Sequence, residues 1–241
     1  MSATGEQSTS DRPTRPAPMH RGPARDLGIE IIEGRLAADS GMTLDDIQRR
    51  FDVSRTVARE VLRELETLHL VVARRRVGIV VQQRAAWNFL HPTLIDWRLR
   101  SEDRPRQLHD LTQLRHVVEP AAAAAAADLA DVETRAMLPP LAARMRTLGE
   151  AGQLEEFMEL DITMHRAILA SSGNELFTAM ADLVEVVLVA RTELSLMPQQ
   201  PKPEALAAHE AVADAIWRGD AGAARDAMVA ITTEVLDAFG A

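Results

Sequence analysis

Between Thr43 and Val81 the chain carries two short helical patterns joined by a tight turn, then two β-branched runs around a basic tip. Few folds accommodate that order in so short a segment. Thr43-Leu44-Asp45-Asp46 has the form of a capping box and opens a helix with Leu44, Ile47 and Phe51 inward. Asp52-Val53-Ser54 is the turn, and Ser54 stands where the N-cap of the next helix belongs. In that helix Val57, Val61, Leu62, Leu65 and Leu68 recur at helical spacing and predict a buried face. Arg55, Thr56, Arg59 and Arg63 share another, exposed face. Leu70-Val71-Val72-Ala73 and Ile79-Val80-Val81 then flank Arg74-Arg75-Arg76-Val77-Gly78, which reads as a hairpin with arginines at its tip. Helix, turn, helix and basic hairpin together make a winged helix. Its second helix suits a DNA major groove, and its wing carries positive charge to backbone or minor groove. An ordinary surface helix with solvated arginines explains one element, not the combination.

The remaining chain reads as helix. Aromatic residues make up only 3% and tyrosine is absent, which disfavours a β-sandwich or barrel, while abundant Ala and Leu favour helices. The expected fold is therefore mainly α: an N-terminal winged helix-turn-helix with a small β-hairpin wing, plus a C-terminal all-α bundle. Residues 1–24, rich in Ser, Thr, Pro, Gly and Arg, read as a disordered tail. The winged helix takes residues 25–82, beginning with a helix from about residue 26 to 38. A linker helix takes residues 83–104, and an all-helical part residues 105–241. Pro120 is expected to kink the first long helix of that part, and Pro139-Pro140 to divide the second. Further helices are expected at about 153–171, 174–195, 204–218 and 220–239.

Charge is distributed unevenly along this chain. The balance is +2 through Arg84 and −11 beyond it, which fits a DNA-touching module joined to an acidic module of different purpose. With no cysteine, disulfides, thiolate metal sites and a cysteine nucleophile are excluded. No apolar run reaches membrane-spanning length and no signal-peptide core opens the chain, so a cytoplasmic protein without a membrane partner is expected.

Three polar positions stand out in the helical half. Asp161 and His165 are four apart and project together beside apolar neighbours, and His209 occupies a similar setting. One carboxylate and two imidazoles inside a bundle suit a divalent metal such as zinc, or simply hydrogen-bond one another. Arg115 suits a bidentate grip on a small carboxylate, or a bridge to Glu119 one turn on. Arg191 and Glu185 are weaker candidates of the same kind.

These residues resemble the GntR family of bacterial transcriptional regulators, in its FadR-type branch with an all-helical FCD ligand-binding domain. The resemblance runs from about residue 26 to the end. It is carried by Val53-Ser54-Arg55-Thr56 with Arg59-Glu60-Val61-Leu62, by Arg76-Val77-Gly78, by Leu114-Arg115 to Glu119-Pro120, by Asp161 with His165, and by the segment opening at His209. It implies that Ser54, Arg55, Thr56, Arg59, Arg76 and Gly78 meet operator DNA. It implies a homodimer on a palindromic operator, most often a repressor released by a metabolite in the C-terminal domain. Arg115, Asp161, His165 and His209 are then the effector-binding candidates.

Two departures matter. Where many members place a basic residue early in the short helix, this chain has Leu44-Asp45-Asp46, so that phosphate contact is lost or moves to Arg49 and Arg50. Where the metal-binding branch has a third histidine on the last helix, this chain has Ile231. The linker Trp87 to Leu99 is similar to that of sugar-acid-responsive members such as galactonate regulators, which implies a hydroxy-carboxylate effector. The rivals are a metal-dependent enzyme using Asp161, His165 and His209, and an architectural DNA-binding protein without an effector. Against the enzyme, the chain has no HExxH, no Gly-rich phosphate loop and no recognisable nucleophile with a base.

Overall fold

A computed structural model describes residues 22–194, 196 and 201–239. The tail expected over residues 1–24 lies, through residue 21, outside the described residues. Pro23 already opens α1 (Pro23–Ile32), with proline at the helix start where its missing N–H costs nothing. The helix stops short of residue 38 because Gly34 turns into the left-handed region at φ 75°. Helix α2 (Leu44–Phe51) starts with the predicted reciprocal cap, Thr43 accepting from Asp46 N–H and Asp46 from Thr43 N–H. Asp52 at φ 50° makes the turn, and α3 (Arg55–Thr67) begins at Ser54, whose Oγ accepts from Val57 N–H at 3.3 Å. Ala58, Val61, Leu65 and Leu68 form its buried face. Val57 does not belong to it; it is 42% exposed.

The wing is more than a hairpin. Strands β2 (Val71–Arg74) and β3 (Gly78–Val81) pair antiparallel as expected, but β1 (Gly41–Met42) joins the other edge of β3, giving the order β1-β3-β2. Gly41 is thus a strand residue. Gly78 is required by that third strand. It has φ 101°, and a Cβ there would come within 2.9 Å of the Met42 carbonyl oxygen.

Only part of residues 83–104 is helical: a single 3-10 turn at Arg84–Ala86, then α4 (Pro92–Leu99). Helix α4 buries opposite faces in two cores. Leu94 and Trp97 belong to the winged-helix core with Leu27, Ile31 and Leu65. Ile95 and Leu99 pack with Leu108, Leu111, Leu183, Val187 and Ala190 of the helical half. The Trp97 ring occupies the space left open by Gly28 of α1, where an added Cβ would sit 2.1 Å from a ring carbon. Two arginines brace this joint. Arg84 and Arg98 both reach Asp103 Oδ2, at 2.8 and 2.5 Å, and both stack on Phe89.

The bundle consists of α5 (Arg104–Leu129), α6 (Val132–Glu150), α7 (Leu154–Ala170), the short α8 (Glu175–Ala179), α9 (Ala181–Glu193), α10 (Pro203–Arg218) and α11 (Ala221–Phe239). Helix α5 packs against α4, α7, α9, α10 and α11. Ala122, Ala123, Ala126 and Ala127 are fully buried, so the alanine run is core. Pro120 lies inside α5 without ending it. Pro139 and Pro140 do not divide α6, which runs unbroken through both. Each proline disfavours the helix by about 3 kcal/mol. The buried row Leu138, Ala142, Met145 and Leu148, packed between α7 and α10, opposes that cost. The segment expected as one helix over 174–195 is two, α8 and α9, broken at Met180.

Candidate functional site

The N-terminal surface is set by α3. With its back in the core, Arg55, Thr56, Arg59 and Arg63 lie exposed on the helix, and Ser54 is exposed at its start. Arg63 is tied to Glu60 at 2.5 Å. No ion pair engages Arg55, Arg59 or Arg76 among the described residues. Arg76 sits at the wing tip with φ 67°, held by the turn in which Val77 N–H donates to the Arg74 carbonyl at 3.1 Å. Arg49 and Arg50, the two arginines of α2, are placed differently. Arg49 pairs with Asp46 at 2.5 Å and keeps 77% of its side chain exposed. Arg50 turns back to Glu30 of α1 and stacks on Phe51, so part of its charge is spent inside the unit.

The second site lies within the bundle. Asp161 and His165 project from α7, His209 from α10, Arg115 and Glu119 from α5, and all five are buried. His209 Nδ1 lies 2.7 Å from the Ala205 carbonyl, which can only accept, so that nitrogen carries the proton. Its Nε2 is 3.1 Å from Asp161 Oδ1. His165 Nε2 is 3.3 Å from the same oxygen, and its Nδ1 is 2.8 Å from Glu119 Oε2 but off the line of a hydrogen bond. Both imidazoles therefore turn Nε2 toward one carboxylate and have an oxygen behind Nδ1, the arrangement that orients histidine ligands in metal sites. The donor atoms of Asp161, His165 and His209 lie within 4.8 Å of one another. This donor set fits a divalent cation such as zinc.

Glu119 also receives Arg115, through Nε at 2.5 Å and Nη2 at 3.2 Å. The two readings of Arg115 turn out to be compatible. The bridge to Glu119 forms and aims the guanidinium, while buried Nη1 has no partner and the side chain lines a cavity of about 50 Å³. Asp161, His165, Arg191, His209, Ile231 and Glu234 share that cavity. Burial alone would raise the Glu119 carboxyl, yet the charges of Arg115 and His165 hold it down at about 2. Burial opposes protonation of His165, but Glu119 and Asp161 outweigh it and raise the imidazole to about 9. Asp161 is held well below the usual carboxylate range, burial again being outweighed by His165 and His209. Burial and the neighbouring Arg115 charge lower Arg191 to about 10. Glu185 is elsewhere, paired with Arg166 at 2.7 Å.

Residues 24–81 match the family model "Bacterial regulatory proteins, gntR family", and residues 110–233 match the FCD domain. The chain belongs to the GntR family of transcriptional regulators, in the FadR-type branch with an FCD domain. This GntR protein is 30% identical over 215 residues to the galactonate operon transcriptional repressor of Escherichia coli, covering 87% of this chain and 93% of that one. It is 31% identical over 186 residues to the Escherichia coli HTH-type regulator YieP, covering 77% and 80%. Among solved structures, a protein described as Lar, controlling the agr system of Listeria monocytogenes, aligns with TM-score 0.54 at 14% identity over 90% of this chain and 94% of that one. Escherichia coli McbR/YncC aligns at 0.52 and 16% identity over 90% and 95%. Both share the fold. The gntR-family match makes the helix-turn-helix the DNA-binding part of a transcriptional regulator, not of an enzyme. No helix among the described residues is long and apolar enough to cross a membrane.

Two residues of the bundle site escaped the sequence reading. Glu119 was visible only as a partner for Arg115, since its contact with His165 spans α5 and α7. Glu234 carried no signal, because only the packing of α11 brings it to the cavity.

Proposed function

We propose that this GntR regulator is a repressor that binds a palindromic operator as a homodimer and is released by a small carboxylate. Residues 25–82 would read DNA, and residues 105–241 would bind effector and dimerise. The observation that carries the effector reading is the buried, unpartnered Arg115 Nη1 beside the cavity that holds Asp161, His165 and His209. A guanidinium already fixed by one carboxylate and offering a further N–H suits a second carboxylate. A divalent cation on Asp161, His165 and His209 would add fixed positive charge to the cavity beside Arg115, which favours an anionic effector. At about 50 Å³ the cavity is about a third the size of one that takes up benzene, at about 150 Å³. A carboxylate head enters, while the remainder of a sugar acid requires the site to widen. The galactonate operon repressor among the relatives supports both the sugar-acid class and the sign of regulation.

The test is a thermal-shift screen of sugar acids and small organic acids on the full chain, with and without chelator. A stabilising acid marks the effector by mass action; no shift from any acid would favour a DNA-binding protein without effector. Arg115→Lys keeps the charge but loses the planar fork that grips Glu119 and points Nη1 at a second carboxylate, so it is expected to stay folded, bind DNA and lose about tenfold or more in effector affinity. Unchanged affinity, read by calorimetry, would move the carboxylate grip elsewhere.

On DNA, Arg55 and Arg59 would contact bases and phosphates from α3 and Arg76 from the wing, with Ser54 and Thr56 at the helix start and Arg49 as the phosphate contact nearby. If Arg55 makes a bidentate base contact, Arg55→Ala is expected to weaken operator binding by about 1–3 kcal/mol in a gel-shift titration. Wild-type affinity would remove that assignment.

A further inference from the structure

Three protein donors leave a zinc-type ion short of a fourth, and the walls of its cavity narrow the choice. Besides Asp161, His165 and His209, the lining includes Arg115 and Arg191, whose side chains only donate, and apolar residues such as Phe157 and Ile231. Among the described lining residues, the remaining side chain with a lone pair to give is Glu234 of α11. We propose that Glu234 is the fourth protein ligand of this metal site. The proposal rests on the metal reading above.

Helix geometry places Glu234 suitably. Ile231, buried at 5% exposure, lines the cavity from the same face of α11, three residues earlier. Side chains on a helix lean toward its N-terminus, so the Glu234 side chain leans back over the level of Ile231. Asp161, Arg191 and Glu234 all line this cavity, so the two acids border the same space. As it stands, Glu234 is turned to Lys202 Nζ at 3.3 Å, and the Lys202 side chain is 64% exposed. Such a solvated pair contributes little and holds the glutamate weakly. Glutamate has three side-chain torsions with which to exchange Lys202 for the cation. Asp161 and Glu234 together neutralise a divalent ion, which assigns the effector carboxylate to Arg115 and Arg191.

The experiment is a zinc titration of full-length protein, competed against a chromophoric chelator, with thermal melts of each variant in excess chelator. Glu234→Gln is expected to melt like wild type in chelator and to bind zinc about tenfold or more weakly, at least the loss seen for residues that merely support a ligand. Adding Ile231→His to Glu234→Gln is expected to recover zinc affinity, since an imidazole at 231 enters the same cavity. If Glu234→Gln binds zinc like wild type while Asp161→Asn does not, Glu234 is no ligand and the metal reading stands. If wild type takes up no zinc, or Asp161→Asn leaves its affinity unchanged, the metal reading fails and this inference with it.

Discussion

Glu119→Ala is expected to destabilise the protein by about 3–5 kcal/mol, because it leaves the buried Arg115 without its counter-charge. Urea denaturation measures this directly. A loss below about 1 kcal/mol would mean that water reaches the pair and screens it, as at a surface bridge. The double variant Arg115→Ala/Glu119→Ala should cost less than the two single losses combined, since it strands neither charge. The same pair sets an acid limit. The Glu119 carboxyl is held at about 2 against an ordinary 4.5, so its contribution is complete above pH 4.5 and is lost as pH falls toward 2. His165 acts at the other end. Raised to about 9 from 6.5, it contributes fully below pH 6.5 and loses that contribution as pH rises to 9. In excess chelator, stability should therefore plateau between about pH 4.5 and 6.5 and fall on either side. A melting temperature that stays flat from pH 6.5 to 9 would show that His165 is not held as an imidazolium.

Trp97→Ala should be nearly as damaging, at about 3–5 kcal/mol, because the ring is almost fully buried against Gly28 and its removal leaves a large cavity. Its position makes the consequence more than a loss of stability. The opposite side of α4, with Ile95 and Leu99, is packed on α5 and α9, while Arg100 pairs with Asp96 at 2.7 Å and with Glu193 of α9 at 2.6 Å. Helix α9 also brings Leu188 and Arg191 to the bundle cavity. Loss of Trp97 should therefore separate the melting of the winged helix from that of the bundle. Calorimetry is expected to resolve two transitions in the variant; one cooperative transition at wild-type temperature would show that α4 does not couple the two cores.

The winged helix was largely legible because its signals are local. The Thr43 cap, the Ser54 cap and the Arg/Thr face of α3 all depend on residues within a turn or two of each other. The reading failed where tertiary context overrode local rules. Val57 fits the apolar period but lies at the edge of the buried face. Gly41-Met42 is too short to announce a strand and becomes one by pairing with β3. Pro139 and Pro140 break helices in isolation, yet burial of the Leu138 row keeps α6 whole.

The bundle site divides along the same line. The sequence by itself determined two pairs, Arg115 with Glu119 and Asp161 with His165, because residues four apart on a helix face the same way whatever surrounds them. Only the tertiary structure joined those pairs into one site. It set Glu119 behind His165, brought His209 to Asp161 across the bundle, left Arg115 Nη1 beside a cavity and carried Glu234 to its wall. Covalent helix geometry fixes neighbours along one helix. Which helices meet, and at what rotation, is decided by packing whole apolar faces against each other.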